Sequence, residues 1–143
     1  MRTLAYRVFG DTIVARLPKG SEVLAGIAEI CEKEGVQLAE ISAIGAVDKI
    51  TVGLYNVEEQ KYHSNTFEDE MEMTGLLGTA TRKDGQVYLH LHGSFSDVHG
   101  HTFGGHVNQA FISATCEVVI RRIAGEIGRR YDPETGLFIM DID

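Results

Sequence analysis

The sequence predicts an α+β fold: a curved, mainly antiparallel β-sheet packed on one main helix. Three observations lead there. Only Ser21–Glu34 carries the apolar period of a helix; much of the remainder alternates with the period of a strand; and Gly-, Asp- and Pro-containing turn signals punctuate it at short intervals. With 143 residues, 43% apolar and 24% charged, the chain is expected to form a single domain over residues 1–143.

Leu4 to Leu17 alternates imperfectly around Gly10-Asp11, which fits two short strands in a hairpin. Pro18-Lys19-Gly20 closes the second strand and leaves Ser21 as the expected N-cap of the helix. Within Ser21–Glu34, the apolar residues Val23, Leu24, Ile27, Ile30 and Cys31 share one face and Glu22, Glu29, Glu32 and Lys33 the other. Gly35 supplies the stop. Two strands follow, Val36–Ile44, ending in a bend at Gly45-Ala46, and Lys49–Tyr55. Val57–Lys61 reads as a hairpin tip and Tyr62–Phe67 as a returning edge strand.

After the acidic run Glu68–Glu72, the segment Met71–Thr81 is interrupted by Gly75 and Gly78, a sign of a bulge or of closely crossing backbones. Asp84-Gly85 is a favoured hairpin dipeptide, so Met71–Thr81 and Gln86–Phe95 are expected to pair antiparallel. Ala110–Ile123 is rich in β-branched residues and reads as a long strand, with helix as its competitor. Arg129–Gly136 reads as loop and Leu137–Ile142 as a last short strand.

Composition excludes several classes of function. No segment approaches the roughly 18–20 uninterrupted apolar residues of a membrane span. The amino terminus lacks the apolar stretch of an export signal, so a cytoplasmic location is expected. Cys31 and Cys116 are far apart in apolar contexts, as buried free thiols would be. The formal charge of −8, with basic residues scattered apart from Arg121-Arg122 and Arg129-Arg130, disfavours DNA binding by this chain alone. There is no phosphate loop, dinucleotide fingerprint or zinc-ribbon cysteine pattern. The apolar flanks of Cys116 argue against a thiolate nucleophile.

The chemistry gathers in Val87–Asn108, which holds five of the six histidines. His90 and His92 are spaced i, i+2 in a strand pattern, so they share a face with Cα atoms roughly 6.5–7 Å apart. That separation lets two imidazoles converge on one ion at about 2.0–2.1 Å. His106 follows Gly104-Gly105, where missing side chains would let the backbone approach another element closely. His90, His92 and His106 are therefore the expected metal ligands, with ordinary surface or half-buried histidines as the competing reading. His99 and His101, in a turn with Gly100, read as surface residues. Zinc suits three imidazoles with an open fourth position, and copper, nickel, cobalt or iron are compatible. Asp97, Glu72 and Glu117 are candidate partners for the second ring nitrogens. Glu72 is the expected catalytic residue, as a general base or a further ligand, against the plainer reading of a solvated edge acid.

With those residues in view, the chain resembles the PPC family, the plant and prokaryote conserved domain, over Tyr6 to about Ile142. The resemblance rests on Gly10-Asp11, Ile41-x-x-Ile44-Gly45-Ala46, Glu72-Met73-x-x-Leu76-x-Gly78, His90-Leu91-His92, Gly104-Gly105-His106 and Glu117-Val118-Val119-Ile120. It implies a homotrimer, a metal, usually zinc, on His90, His92 and His106 as in prokaryotic members, and a distant fold likeness to acetolactate decarboxylase. Plant members carry a basic Arg-Gly-Arg-Pro hook, which nothing here matches. Their Gly-Arg-Phe-Glu-Ile-Leu contact motif aligns on Asp69–Thr74, where only the glutamate, Glu72, is kept.

Two readings of function follow. In one, a trimeric metal protein acts on a small oxygen-rich ligand. In the other, it is a non-catalytic, DNA-associated or protein-interaction regulatory module.

Overall fold

The β5–β6 hairpin, packed against the helix on one side and open on the other, sets the layout of the molecule. The computed structural model describes residues 4–143. Met1–Thr3, the first residues of the segment read for an export signal, lie outside the described residues. The elements run β1 (Ala5–Phe9), β2 (Thr12–Pro18), α1 (Val23–Lys33), β3 (Ala39–Asn56), β4 (Lys61–Lys83), β5 (Gln86–Ser96), β6 (Thr102–Arg122), β7 (Arg129–Asp132) and β8 (Leu137–Met140). β1 to β6 form one antiparallel sheet in the order β1-β2-β6-β3-β4-β5, and β5 also pairs with β6, so the sheet curls back on itself. β7 and β8 form a separate hairpin. Among the described residues, no helix is long and apolar enough to cross a membrane.

Helix α1 buries Val23, Ile27, Ile30 and Cys31, the face its sequence marks. Its start differs by one residue from expectation: the N-cap is Glu22, not Ser21. The Ser21 backbone is engaged on both sides, its N–H on the Pro18 carbonyl and its own carbonyl accepting from Ile112. Glu22 then reaches the amides of Leu24 (3.0 Å) and Ala25 (2.9 Å) and also that of Ala110 (3.0 Å), tying the helix start to β6. The end is a Schellman turn, Val36 N–H to Cys31 carbonyl and Gly35 N–H to Glu32 carbonyl, with Gly35 at φ 61°. On the outer face, Glu32 accepts from Arg82 at 3.1 Å and from the Val87 amide at 2.8 Å. The Val87 amide and then the Arg82 guanidinium hold its carboxyl below the usual range.

The sheet is longer-stranded than the sequence suggests. The two strands expected on either side of Gly45-Ala46 are one strand, β3, and the edge strand Tyr62–Phe67 continues through the acidic run into β4. Irregularities between Ala43 and Gly45 and between Val47 and Lys49 absorb the bend without ending the ladder. Gly45 serves close approach: a Cβ there would lie 2.7 Å from the Thr115 carbonyl of β6. Of the expected strand Ala110–Ile123, all but Ile123 lies within β6, and the expected loop at 129–136 contains β7.

Strand faces fix where the chemistry goes. Leu91, Phe95 and Val107 are buried in the core that α1 covers. Each such burial contributes about 1.5–3 kcal/mol, and a one-residue slip would expose all of them together. Their alternates, His90, His92 and His106, are thereby held on the opposite face.

Candidate metal centre

Three histidines meet because two different spacings coincide. His90 and His92 lie two residues apart on β5, and His92 is the direct cross-strand partner of His106 on β6. The register is set at the hairpin tip. There Asp97 accepts from the amides of His99 and His101 (2.9 Å each), and the Asp97 amide donates to the His101 carbonyl. Glycines let the strands close up: a Cβ on Gly104 would run into the Gly93 carbonyl, and one on Gly78 into that of His90. The sequence expectation of close backbone approach at Gly104-Gly105 and Gly78 holds.

His90 Nε2 and His92 Nε2 are 3.2 Å apart, and ligand nitrogens of all three residues lie within 4.8 Å of one another. Two nitrogens on one tetrahedral ion at 2.0–2.1 Å would be about 3.3 Å apart, so the first pair is already at ligand spacing. Burial first, then the neighbouring His92 and His106, lowers the pKa of His90; burial and then His92 lowers that of His106. Both rings are therefore biased to the neutral form that a metal requires. Among the described residues, no other group of His, Cys, Asp and Glu side chains converges in this way.

The other candidates lie elsewhere. Glu72 pairs with Ala46 and with Ser96, four residues beyond His92 and so roughly 13 Å along the strand. It lines a second cavity with Glu117, Ile44 and Thr115, and within one chain the structure does not bring it to the histidines. Asp97 is committed to the hairpin tip. His99 and His101 are exposed there, and His63 sits beside Glu59 at 3.2 Å. Cys31 and Cys116 are buried free thiols, which burial pushes up to about 11 and about 12 respectively.

The histidines line a cavity of about 1060 Å³ between the outer sheet face, the β3–β4 arm and the β7–β8 hairpin. Its wall is mostly apolar, with Val52, Leu54, Phe67, Phe103 and Phe138 contributing. Tyr62 packs edge-on against His106 (centroids 5.7 Å), and its hydroxyl donates to Asn108 Oδ1 at 2.5 Å. Tyr88 and Arg129 also line the cavity. Alternation marks Tyr88 and Asn108 as i−2 of His90 and i+2 of His106. Nothing local signals Tyr62 or Arg129, which arrive from distant hairpins.

The family model of the Plants and Prokaryotes Conserved (PCC) domain matches residues 5–124. A structure of a metal-containing protein from Archaeoglobus fulgidus is similar at 32% identity, covering 98% of this chain and 99% of that one, with a TM-score of 0.86. A candidate DNA-binding protein from Bacteroides thetaiotaomicron superposes with a TM-score of 0.94 at 27% identity, covering 98% of both chains. The fold likeness extends to alpha-acetolactate decarboxylase from Bacillus subtilis, at 15% identity and a TM-score of 0.58, covering 90% of this chain and 60% of that one. No curated protein matches the sequence.

Proposed function

Because the chain belongs to the Plants and Prokaryotes Conserved domain family, we propose that it is a cytoplasmic, homotrimeric protein that holds zinc on His90, His92 and His106 and acts as an enzyme on a small oxygen-rich substrate. The observation that carries this reading is the convergence of three imidazoles at one point of a large, mostly apolar cavity, with His90 and His106 biased to the neutral form by burial. A divalent ion there supplies Lewis-acid polarisation of a substrate oxygen or activation of water. The chain's own residues do the rest. The wall around the site is mostly apolar, and Tyr62, tied to Asn108, packs edge-on against the His106 ring. The similarity to the metal-containing protein of Archaeoglobus fulgidus supports the metal. The apolar residues Ile44, Leu54 and Leu77, 55%, 66% and 64% exposed in the single chain, support an assembly that covers them.

Elemental analysis of purified protein tests the metal, with one zinc per chain expected and none in His92→Ala. Light scattering tests the trimer, and a stable monomer would refute it.

The similarity to the candidate DNA-binding protein of Bacteroides thetaiotaomicron favours a second reading, a DNA-associated module in which the metal is structural. The charge of −8 opposes it. A gel-shift series across salt concentrations separates the two, since phosphate-driven binding weakens steeply with salt and the enzyme reading expects no shift.

A further inference from the structure

Arg129 enters the histidine cavity from β7, beyond the residues that the family model matches. Its Nε donates to Thr81 Oγ1 at 2.9 Å, and its guanidinium lies over the Tyr88 ring, 4.6 Å from the centroid. Thr81 and Tyr88 are cross-strand partners on β4 and β5, so the guanidinium is held at its Nε edge and on one face. Arg129 Nη2 is buried and, among the described residues, has no hydrogen-bond partner. A buried guanidinium nitrogen without an acceptor is costly, because the group gives up water and receives nothing.

The surroundings sharpen the point. Among the described residues, no Asp or Glu side chain lines this cavity, although the protein carries 21 acids. Arg129 and His90 line the same cavity, and Tyr88, over which the guanidinium lies, is two residues before His90 on β5. A divalent ion on three neutral imidazoles keeps both its positive charges, and the guanidinium adds another. The wall supplies nothing to balance them. An anionic ligand would supply that balance.

We propose that Arg129 is the anion-anchoring residue of the cavity, and that the ligand is a small organic anion whose carboxylate meets the guanidinium while a second oxygen faces His90, His92 and His106. This rests on the metal reading above for the second oxygen; the carboxylate contact stands on Arg129 alone. Guanidinium and carboxylate match in shape and form charge-assisted, often paired, hydrogen bonds. The stacking on Tyr88 and the bond to Thr81 fix the plane in which a carboxylate would be met. Arg129 is thus a specificity residue: it selects anionic ligands over neutral ones of the same size.

The test uses full-length protein, its zinc content measured first, and isothermal titration with malate and with malamide, its neutral diamide. Malate is expected to bind the wild type, and malamide is not. Arg129→Gln should weaken malate by roughly 10- to 100-fold, the loss of a charge-assisted contact. Arg129→Lys, which keeps the charge and loses the fork, should fall between. Zinc content and melting temperature of both variants report whether fold and metal survive. Equal malate affinity in wild type and Arg129→Gln would overturn the proposal, as would malamide binding as tightly as malate, or no malate binding by zinc-replete wild type. If the wild type holds no zinc, the metal reading falls by itself. The anchor then stands or falls on the same malate comparison in metal-free protein.

Discussion

His92 and His106 are direct cross-strand partners at the open end of the β5–β6 hairpin, their ring centroids 5.5 Å apart. With His90 two residues before His92 and on the same face, this one pairing turns a linear motif into a three-cornered site. Its accuracy depends on register, because a slip of one residue would send one histidine of the pair into the core.

That register is open to mutation at Asp97. Its carboxylate organises the tip through two amides, and removing it leaves those amides to water. Asp97→Ala is expected to lower stability by about 1–2 kcal/mol and to weaken zinc binding, while Asp97→Asn, which keeps an acceptor oxygen, should be milder. Chemical denaturation with a parallel zinc titration measures both. Wild-type zinc affinity in Asp97→Ala would separate the tip from the site.

The glycine at 104 is a second lever. A Cβ there meets the Gly93 carbonyl, a backbone atom that cannot swing aside. Gly104→Ala should cost about 1–3 kcal/mol and separate β5 from β6 at the histidines, with zinc lost or much weakened. A melting curve and elemental analysis check it; an unperturbed variant would mean that the strands do not approach so closely.

Acid should disarm the site. His90 and His106 have pKa values below that of a free histidine, by burial first and neighbouring charge second. Above about pH 6.5 both are neutral whether the chain is folded or unfolded, and their contribution to stability is fully present. As pH falls through that value the unfolded chain takes up protons first, so stability declines until the lowered folded values are passed. Bound metal competes with the same protons and should be released over the same window. Melting of metal-free protein between about pH 7.5 and 5 should show this decline, and His90→Gln should flatten it. A flat wild-type profile would show that these rings are not desolvated.

Glu72 supplies a negative control with consequences. It lies roughly 13 Å along the strand from the histidines and lines another cavity. Glu72→Gln should leave zinc content unchanged. If instead zinc is lost, Glu72 reaches the site from a neighbouring chain, and the site is built between subunits.

What could be read from the sequence was what is local. Alternation put His90 beside His92, glycines announced close backbone contact at Gly78 and Gly104, and the apolar stripe from Val23 to Cys31 gave the helix and its buried face. Boundaries failed where tertiary contacts outvote local signals. Ser21 has the better capping chemistry, yet its backbone is engaged by Pro18 and Ile112, and Glu22 caps instead. Gly45 reads as a bend and is a close crossing inside one long strand. The pairing of His92 with His106 needs the length of the Asp97–His101 turn, and the arrival of Tyr62 and Arg129 needs the folding-back of two hairpins. Neither leaves a mark in nearby residues.

X-ray absorption at the zinc edge on metal-loaded wild-type protein addresses the centre most directly. The expected spectrum has nitrogen and oxygen neighbours only, near 2.0–2.1 Å, with the outer-shell scattering of three imidazole rings that falls to two in His106→Gln. A sulfur shell near 2.3 Å, or a spectrum unchanged by that substitution, would contradict a site built on His90, His92 and His106.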